Sequence, residues 1–348
     1  MDVIQYPNPL HLITEIPPDS DPAVATPVIG PKTAIIIVTK DRVERLRTTL
    51  PKIAVMPCPV ILIDDSTTSA SRRRVAAIAS RWDIQYHGRT QQKSTLASAR
   101  IKDLGGLVAP LGTPGWTLGF CRNYTLLLAR AMGFDRVVLM DDDIVLPSQD
   151  LLARTLSLLT DFHYAGAHTI GLPDDSVVGH VARRLGVVQY DFVTGQYLGV
   201  RCRLQPSFFP NEYNEDLLFL LLGAGDGTIA RYGTVRQLQH GPSGLSIGRA
   251  LSEEEGEVHC EGCIRVAISG NRMALRDSKF WVDVLEFRWK SLLDLIARDQ
   301  EWGNSIYTPL LTSVLDRSRR LDPRTFVTFY DSYFSAIPRW VALQEQFG

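Results

Sequence analysis

The chain has 348 residues, 45% of them hydrophobic, and a formal net charge of -1 at neutral pH. That is ordinary globular composition, sufficient for one large domain or two, and its near-neutral balance gives no reason to expect nucleic acid or another polyanion as a partner. Five sparse cysteines, an odd number, argue for free thiols in a reducing compartment and against a disulfide framework.

From the N-terminus, MDVIQYPNPLHL lacks a basic region followed by an apolar core, so no secretory signal is read there. Residues 1–31 are rich in Pro, Asp and Thr and read as an extended lead-in. TAIIIVTKDR (33–42) reads as a first buried strand and VERLRTTLPKI as an amphipathic helix. PVILIDDSTT (59–68) reads as a second strand ending in Asp64 and Asp65, followed by a helix over ASRRRVAAIASRW and a third strand at IQYHG. Residues 88–118 have the composition of a loop. LGFCRNYTLLLARAMGF (118–134) has helical spacing, with Gly133 as its C-terminal stop, and LLARTLSLLTDF (151–162) is a further helix. VVQYDFV and QYLGVRCRL suggest a hairpin or ribbon. A helix then starts near Asn214, with Asn214, Glu215 and Asp216 suited to its N-terminus. The tail is helical and amphipathic. The longest apolar run, Leu217 to Ala224, is too short to span a bilayer, and a cytoplasmic protein without transmembrane segments is expected.

Alternating strands and helices predict an α/β fold with a mostly parallel sheet flanked by helices and a helical C-terminal portion. Three units are expected: the lead-in, residues 32–245 (a nucleotide-binding half over 32–145 and an acceptor half over 146–245), and a mainly helical extension over 246–348. The most informative segment is RVVLMDDDIVLPS (136–148), an apolar run that ends in Asp141, Asp142 and Asp143. Three adjacent carboxylates repel unless a cation neutralises them, and strand C-terminal ends are where open α/β sheets bind ligands. Strand alternation would put Asp141 and Asp143 on one side and Asp142 on the other. The alternative is a solvated acidic turn.

Four segments in order resemble nucleotide-sugar-dependent glycosyltransferases of the GT-A fold, family-2-like: VTKDR (38–42), ILIDDSTT (61–68), GFCRNYTL (119–126) and VLMDDDIVLP (138–147). The resemblance implies a nucleoside-diphosphate-sugar donor, UDP- or GDP-linked, and Mn2+ or Mg2+ held by Asp141 and Asp143, with Asp142 beside the donor. It implies that Thr39, Asp41, Asp64 and Asp65 lie at the nucleoside and that Arg122 faces the diphosphate. Taken by themselves, Asp41 could cap a helix and Asp64 could form an Asx turn. NEYNEDLLF resembles the family's E-D motif, which makes Asp216 the general base with Glu215 beside it, and inversion the expected outcome; helix capping is the alternative. His240 either completes the metal shell, as in several relatives, or is a loop histidine.

The acceptor could be a small molecule, a glycan or a peptide, and an oligomer is possible. Three rival readings stand: a sugar-phosphate nucleotidyltransferase, a retaining GT-A enzyme and a non-catalytic sugar-binding relative. The first is disfavoured by the lack of glycine in VTKDRVERL. His259, Cys260 and Cys263 form an H-C-x-x-C cluster without a second C-x-x-C, a weak zinc signal.

Overall fold

The computed structural model describes residues 9–17, 30, 32–98, 117–171, 176–187, 192–203, 205–224, 228–238, 245–303 and 305–347. Their nine strands form one sheet: β1 (Ile13–Glu15), β2 (Thr33–Thr39), β3 (Val60–Asp64), β4 (Gln85–His87), β5 (Arg136–Asp141), β6 (Ile144–Val145), β7 (Tyr164–Ile170), β8 (Tyr197–Arg201) and β9 (Ile229–Gln237). The strand order is β1-β9-β7-β8-β5-β2-β3-β4, with β6 paired to β9 outside that path. Most pairings are parallel; β8 runs antiparallel to both β5 and β7, and β6 to β9.

The helices are α1 (Val43–Ile53), α2 (Ser69–Arg81), α3 (Arg89–Ser98), α4 (Leu118–Ala131), α5 (Gln149–Leu158), α6 (Val177–Arg184), α7 (Glu215–Gly223), α8 (Ile247–Ser269), α9 (Ser278–Glu301), α10 (Thr308–Ser318) and α11 (Pro323–Phe347). Local chemistry starts many of them. Thr68, Thr117, Ser148, Ser176 and Ser246 each accept a hydrogen bond from a first-turn backbone N–H of α2, α4, α5, α6 and α8.

The central strands are apolar on both faces because both faces are covered. Ala34, Ile36, Ile61, Ile63, Val137 and Leu139 pack with α4, α7, α8, α9 and α11. Ile35, Ile37, Leu62, Val138 and Met140 pack on the other face with α1, α2 and α5. The C-terminal helices therefore share the core of the sheet, as Trp281, Phe326, Tyr330, Tyr333 and Trp340 do.

Four expectations are corrected. The lead-in contains an edge strand, β1, parallel to β9 and held in part by the Glu15–Arg231 ion pair. The loop expected over 88–118 begins with α3, whose Gln92 donates to the carbonyls of Asp64 and His87; residues 99–116 lie outside the described residues. The expected hairpin does not form. QYLGVRCRL supplies β8 inside the main sheet, and no described residue of VVQYDFV is in a strand. The strand carrying the aspartates ends at Asp141, so Asp142 and Asp143 lie in a turn and side-chain alternation does not extend to them.

Candidate active site

Chain winding places the site. From β2 the sheet grows outward through β3 to β4, and the chain then returns to β5 on the other side of β2. Such a switch point opens a crevice at the strands' carboxyl ends. Thr39 ends β2 there and Asp141 ends β5, and the two strands run parallel with Val38 opposite Asp141.

Asp142 and Asp143 are buried and converge on one cation. Arg42 Nη1 lies 3.0 Å from Asp142 Oδ1 and 3.2 Å from Asp143 Oδ2. Thr39 Oγ1 donates to Asp142 Oδ2 at 2.6 Å, and Gln237 Nε2, at the end of β9, lies 3.3 Å from Asp143 Oδ2. Burial raises the pKa of Asp142, and Arg42 works against that rise. Asp141 turns to a different partner: its Oδ1 lies 3.3 Å from Arg122 Nη2. Burial pushes Asp141 up to about 6; Arg122 opposes this, while Asp143 and Asp142 add to it.

Arg122 is the hub of the cleft. It is 3% exposed and lies over the Phe209 ring, 5.7 Å from its centroid. Its Nη1 is 2.6 Å from Glu215 Oε1 and 3.9 Å from Asp216 Oδ2. The guanidinium expected at a diphosphate is thus engaged by three carboxylates. Burial raises Glu215, and Arg122 counteracts it. Antiparallel β8 completes the hub, because its entry lies beside the exit of β5: Asp141 N–H donates to the Gln196 carbonyl, and Gly195 N–H donates to Asp216 Oδ2 at 2.6 Å. A Cβ on Gly195 would stand 2.4 Å from Arg122 Nη1. Asp216 Oδ1 also accepts from the N–H of Leu217. The expected cap at Asn214 is absent: it has φ of 64°, makes no side-chain cap bond, and donates to Glu257 instead.

The β3 end is tied down separately. Asp64 Oδ1 accepts from Ser66 N–H at 2.8 Å, an Asx turn, and its Oδ2 accepts from the Tyr86 hydroxyl at 2.8 Å. Asp65 is ion-paired to Lys40 at 3.1 Å and to Arg89 at 2.7 Å. Asp41 is not a helix cap. It has φ of 56°, and its carboxylate accepts from the backbone N–H and hydroxyl of Thr67, which joins the loops after β2 and β3. Asn123 holds the backbone of Phe209 by two 2.8 Å bonds. His240 lies outside the described residues.

The structure thus gathers Thr39, Asp141, Asp142 and Asp143 with Arg122, Glu215 and Asp216 around the carboxyl ends of the central strands β2 and β5, with Asp64 and Asp65 flanking them at the end of β3. Sequence reasoning missed Arg42, Gln237, Gly195, Tyr86 and Arg89. Arg42 was inside the VTKDR motif and could have been found as its only guanidinium; Gln237 and Gly195 carry no sequence signal. Asp142 and Asp143 themselves offer oxygen donors only, and Arg42 Nη1 brings a positive charge between them. That set fits a hard divalent ion such as Mg2+ or Mn2+.

No protein-family model matches the chain, and no curated protein matches it. Solved structures align over much of its length. A mannosyltransferase from Pyrobaculum calidifontis, in complex with GDP-Man and Mn2+, is 12% identical; the alignment covers 92% of this chain and 86% of that one, with a TM-score of 0.45. Glucosyl-3-phosphoglycerate synthase from Mycobacterium tuberculosis, in complex with phosphoglyceric acid, is 16% identical over 69% of this chain and 78% of that one, with a TM-score of 0.40. TarS from S. aureus is 14% identical over 88% and 91%, with a TM-score of 0.39. All three likenesses are distant.

Proposed function

We propose that the chain is a metal-dependent glycosyltransferase of the GT-A fold, transferring a sugar from a UDP- or GDP-linked donor to an acceptor nucleophile with inversion. The observation that carries this reading is the meeting, at the switch point of the sheet, of the Asp141–Asp143 cluster with Glu215 and Asp216 across one buried arginine. A donor's departing diphosphate needs positive charge, and an attacking hydroxyl needs a proton acceptor. Both chemistries lie within reach of Arg122.

Asp142 and Asp143 would hold the metal, with Asp141 beside them and His240 as a further ligand. A divalent ion there neutralises charge on the leaving nucleoside diphosphate. Thr39 and Gln237 orient the two carboxylates through hydrogen bonds. Asp216 is the base, its carboxylate aimed by Gly195 N–H and Leu217 N–H. Glu215 holds Arg122 in register beside it. Asp65 and the loop from Thr39 to Arg42 line the nucleoside side. The absence of glycine after β2, in VTKDRVERL, speaks against a triphosphate-binding nucleotidyltransferase.

The test is thermal unfolding with UDP or GDP, each with and without Mn2+, followed by donor turnover. A ligand that binds only the folded state raises the melting temperature, by about 2.7 kcal/mol of stabilisation at a hundredfold excess over Kd. Metal-dependent stabilisation is expected for the wild type and none for Asp143→Ala, which keeps its fold and loses turnover. Undiminished donor turnover by Asp143→Ala would sink the assignment.

A further inference from the structure

A second set of ligand-type side chains lies on and beside α8, separate from the aspartates after β5. We propose that Glu212, Glu255 and His259 form a binding site for a divalent transition-metal ion, of the Zn2+ or Co2+ kind, with at least one coordination position left open. The proposal does not depend on the glycosyltransferase reading.

The geometry comes from two stretches of chain. Glu255 and His259 are four residues apart on α8 and share one face of the helix. Glu212 comes from the segment before α7, which lies directly on α8. Gly256 permits that approach, because a Cβ there would stand 2.6 Å from Tyr213 Cβ. Asn214 Nδ2 fixes it by donating to Glu257 Oε1 at 3.1 Å. One ligand atom from each of Glu212, Glu255 and His259 lies within 4.8 Å of the other two.

The imidazole supplies the second, independent observation. His259 is 1% exposed, walled in by Trp281, Phe326, Phe329 and Tyr330. Its Nδ1 lies 3.2 Å from the Tyr330 hydroxyl, which in turn lies 3.0 Å from Cys263 Sγ. Its Nε2 has no hydrogen-bond partner among the described residues. An imidazole held through one nitrogen by an oxygen partner, with the other free, is how metal-bound histidines are oriented.

Charge points the same way. Glu255 has Arg317 Nη2 at 3.4 Å, but Glu212 has no cationic partner among the described residues and accepts only from the N–H of Tyr213. Two carboxylates thus face one arginine. A mixed nitrogen and oxygen donor set selects a transition metal over Ca2+ or Mg2+. Neither Cys260 nor Cys263 belongs to the group, so the H-C-x-x-C pattern contributes only its histidine.

The experiment uses the full chain, stripped of metal with a chelator. Zn2+ is titrated in competition with a chromophoric chelator, and Co2+ is followed by its visible absorption. Asp141→Asn/Asp143→Asn removes two of the three clustered carboxylates after β5, one of them a proposed ligand of the other metal, and is expected to keep one Zn2+ equivalent at wild-type affinity together with the Co2+ bands. Glu212→Gln/Glu255→Gln is expected to lose that equivalent, its affinity falling by at least about tenfold, the lower bound for disturbing even the surroundings of a metal ligand. These half-buried glutamates carry the test because His259 lies in the aromatic core; thermal unfolding of the metal-free proteins checks that the fold is kept. Wild-type Zn2+ affinity in Glu212→Gln/Glu255→Gln, or loss of all Zn2+ binding in Asp141→Asn/Asp143→Asn, overturns the proposal.

Discussion

Arg122 is the residue on which the cleft turns. It is buried with Glu215, Asp141 and Asp216 around it, and no uncharged side chain could neutralise that group. Removing one member of a buried pair leaves the others uncompensated, at a cost of about 3–5 kcal/mol. Arg122→Met is therefore expected to lower unfolding stability by that amount in denaturant titrations, and adding Glu215→Gln to recover part of it. If the double variant is no more stable than the single one, the pairing is not what Arg122 supplies. The thiols lie at the other extreme of reactivity. Burial pushes Cys58 up to about 11 and Cys202 up to about 12. Only the thiolate is nucleophilic, so its fraction at pH 8 is small and grows as pH rises toward those values. Native protein should resist alkylation at pH 8, Cys58 should react first as pH climbs toward 11, and all five should react once the chain is unfolded. Rapid labelling of native protein at pH 8 would contradict that burial.

At the scale of elements, β8 does more than fill a gap in the sheet. Its direction carries Gly195 to the end of β5, where the lack of a side chain admits Arg122. Gly195→Ala would push the guanidinium aside, and a displacement of about 1 Å near reacting groups costs on the order of a hundredfold in rate. Steady-state kinetics should show that loss in kcat, with far-UV circular dichroism unchanged; wild-type kcat would show that the close approach is dispensable. Elements differed in how legible they were. β2, β3 and β5 read plainly because burial on both faces makes them continuous apolar runs. β9, IARYGTVRQ, did not: it carries Arg231, Gly233 and Arg236, and its polar residues are accommodated by partners such as Glu15 that only folding brings near. α3, RTQQKSTLAS, is polar almost throughout, and hydrogen bonds from Gln92 to β3 and β4 backbone anchor it. The acidic motifs were visible as local strings, but which aspartate meets which arginine depends on where β5 stops, and the sequence has no marker for that.

Across the whole molecule, the sheet and the C-terminal helices share one core. Trp281 lies between Gly262 and the stacked rings of Phe326 and Tyr330, and Tyr333 bonds both the N–H and the carbonyl of Phe208. The Gln344 side-chain amide likewise bonds both the N–H and the carbonyl of Gln205. Residues from Pro323 onward are thus part of what keeps the sheet folded, and a chain ending before Pro323 is expected to lose cooperative thermal unfolding. Trp281→Ala is expected to cost about 3–5 kcal/mol, the range for deleting a buried aromatic. A truncated chain with a sharp, high-temperature transition would show that two independent cores exist.

The antiparallel strand has a practical implication for anyone who diversifies this scaffold. Sliding that ribbon by a single position would turn its side chains inside out and carry the glycine away from its arginine, even with every acidic residue intact. Insertions or deletions just upstream of Tyr197 should therefore be far less forgiving than their place outside regular structure suggests, and libraries meant to retain activity are better aimed at the far end of the same strand.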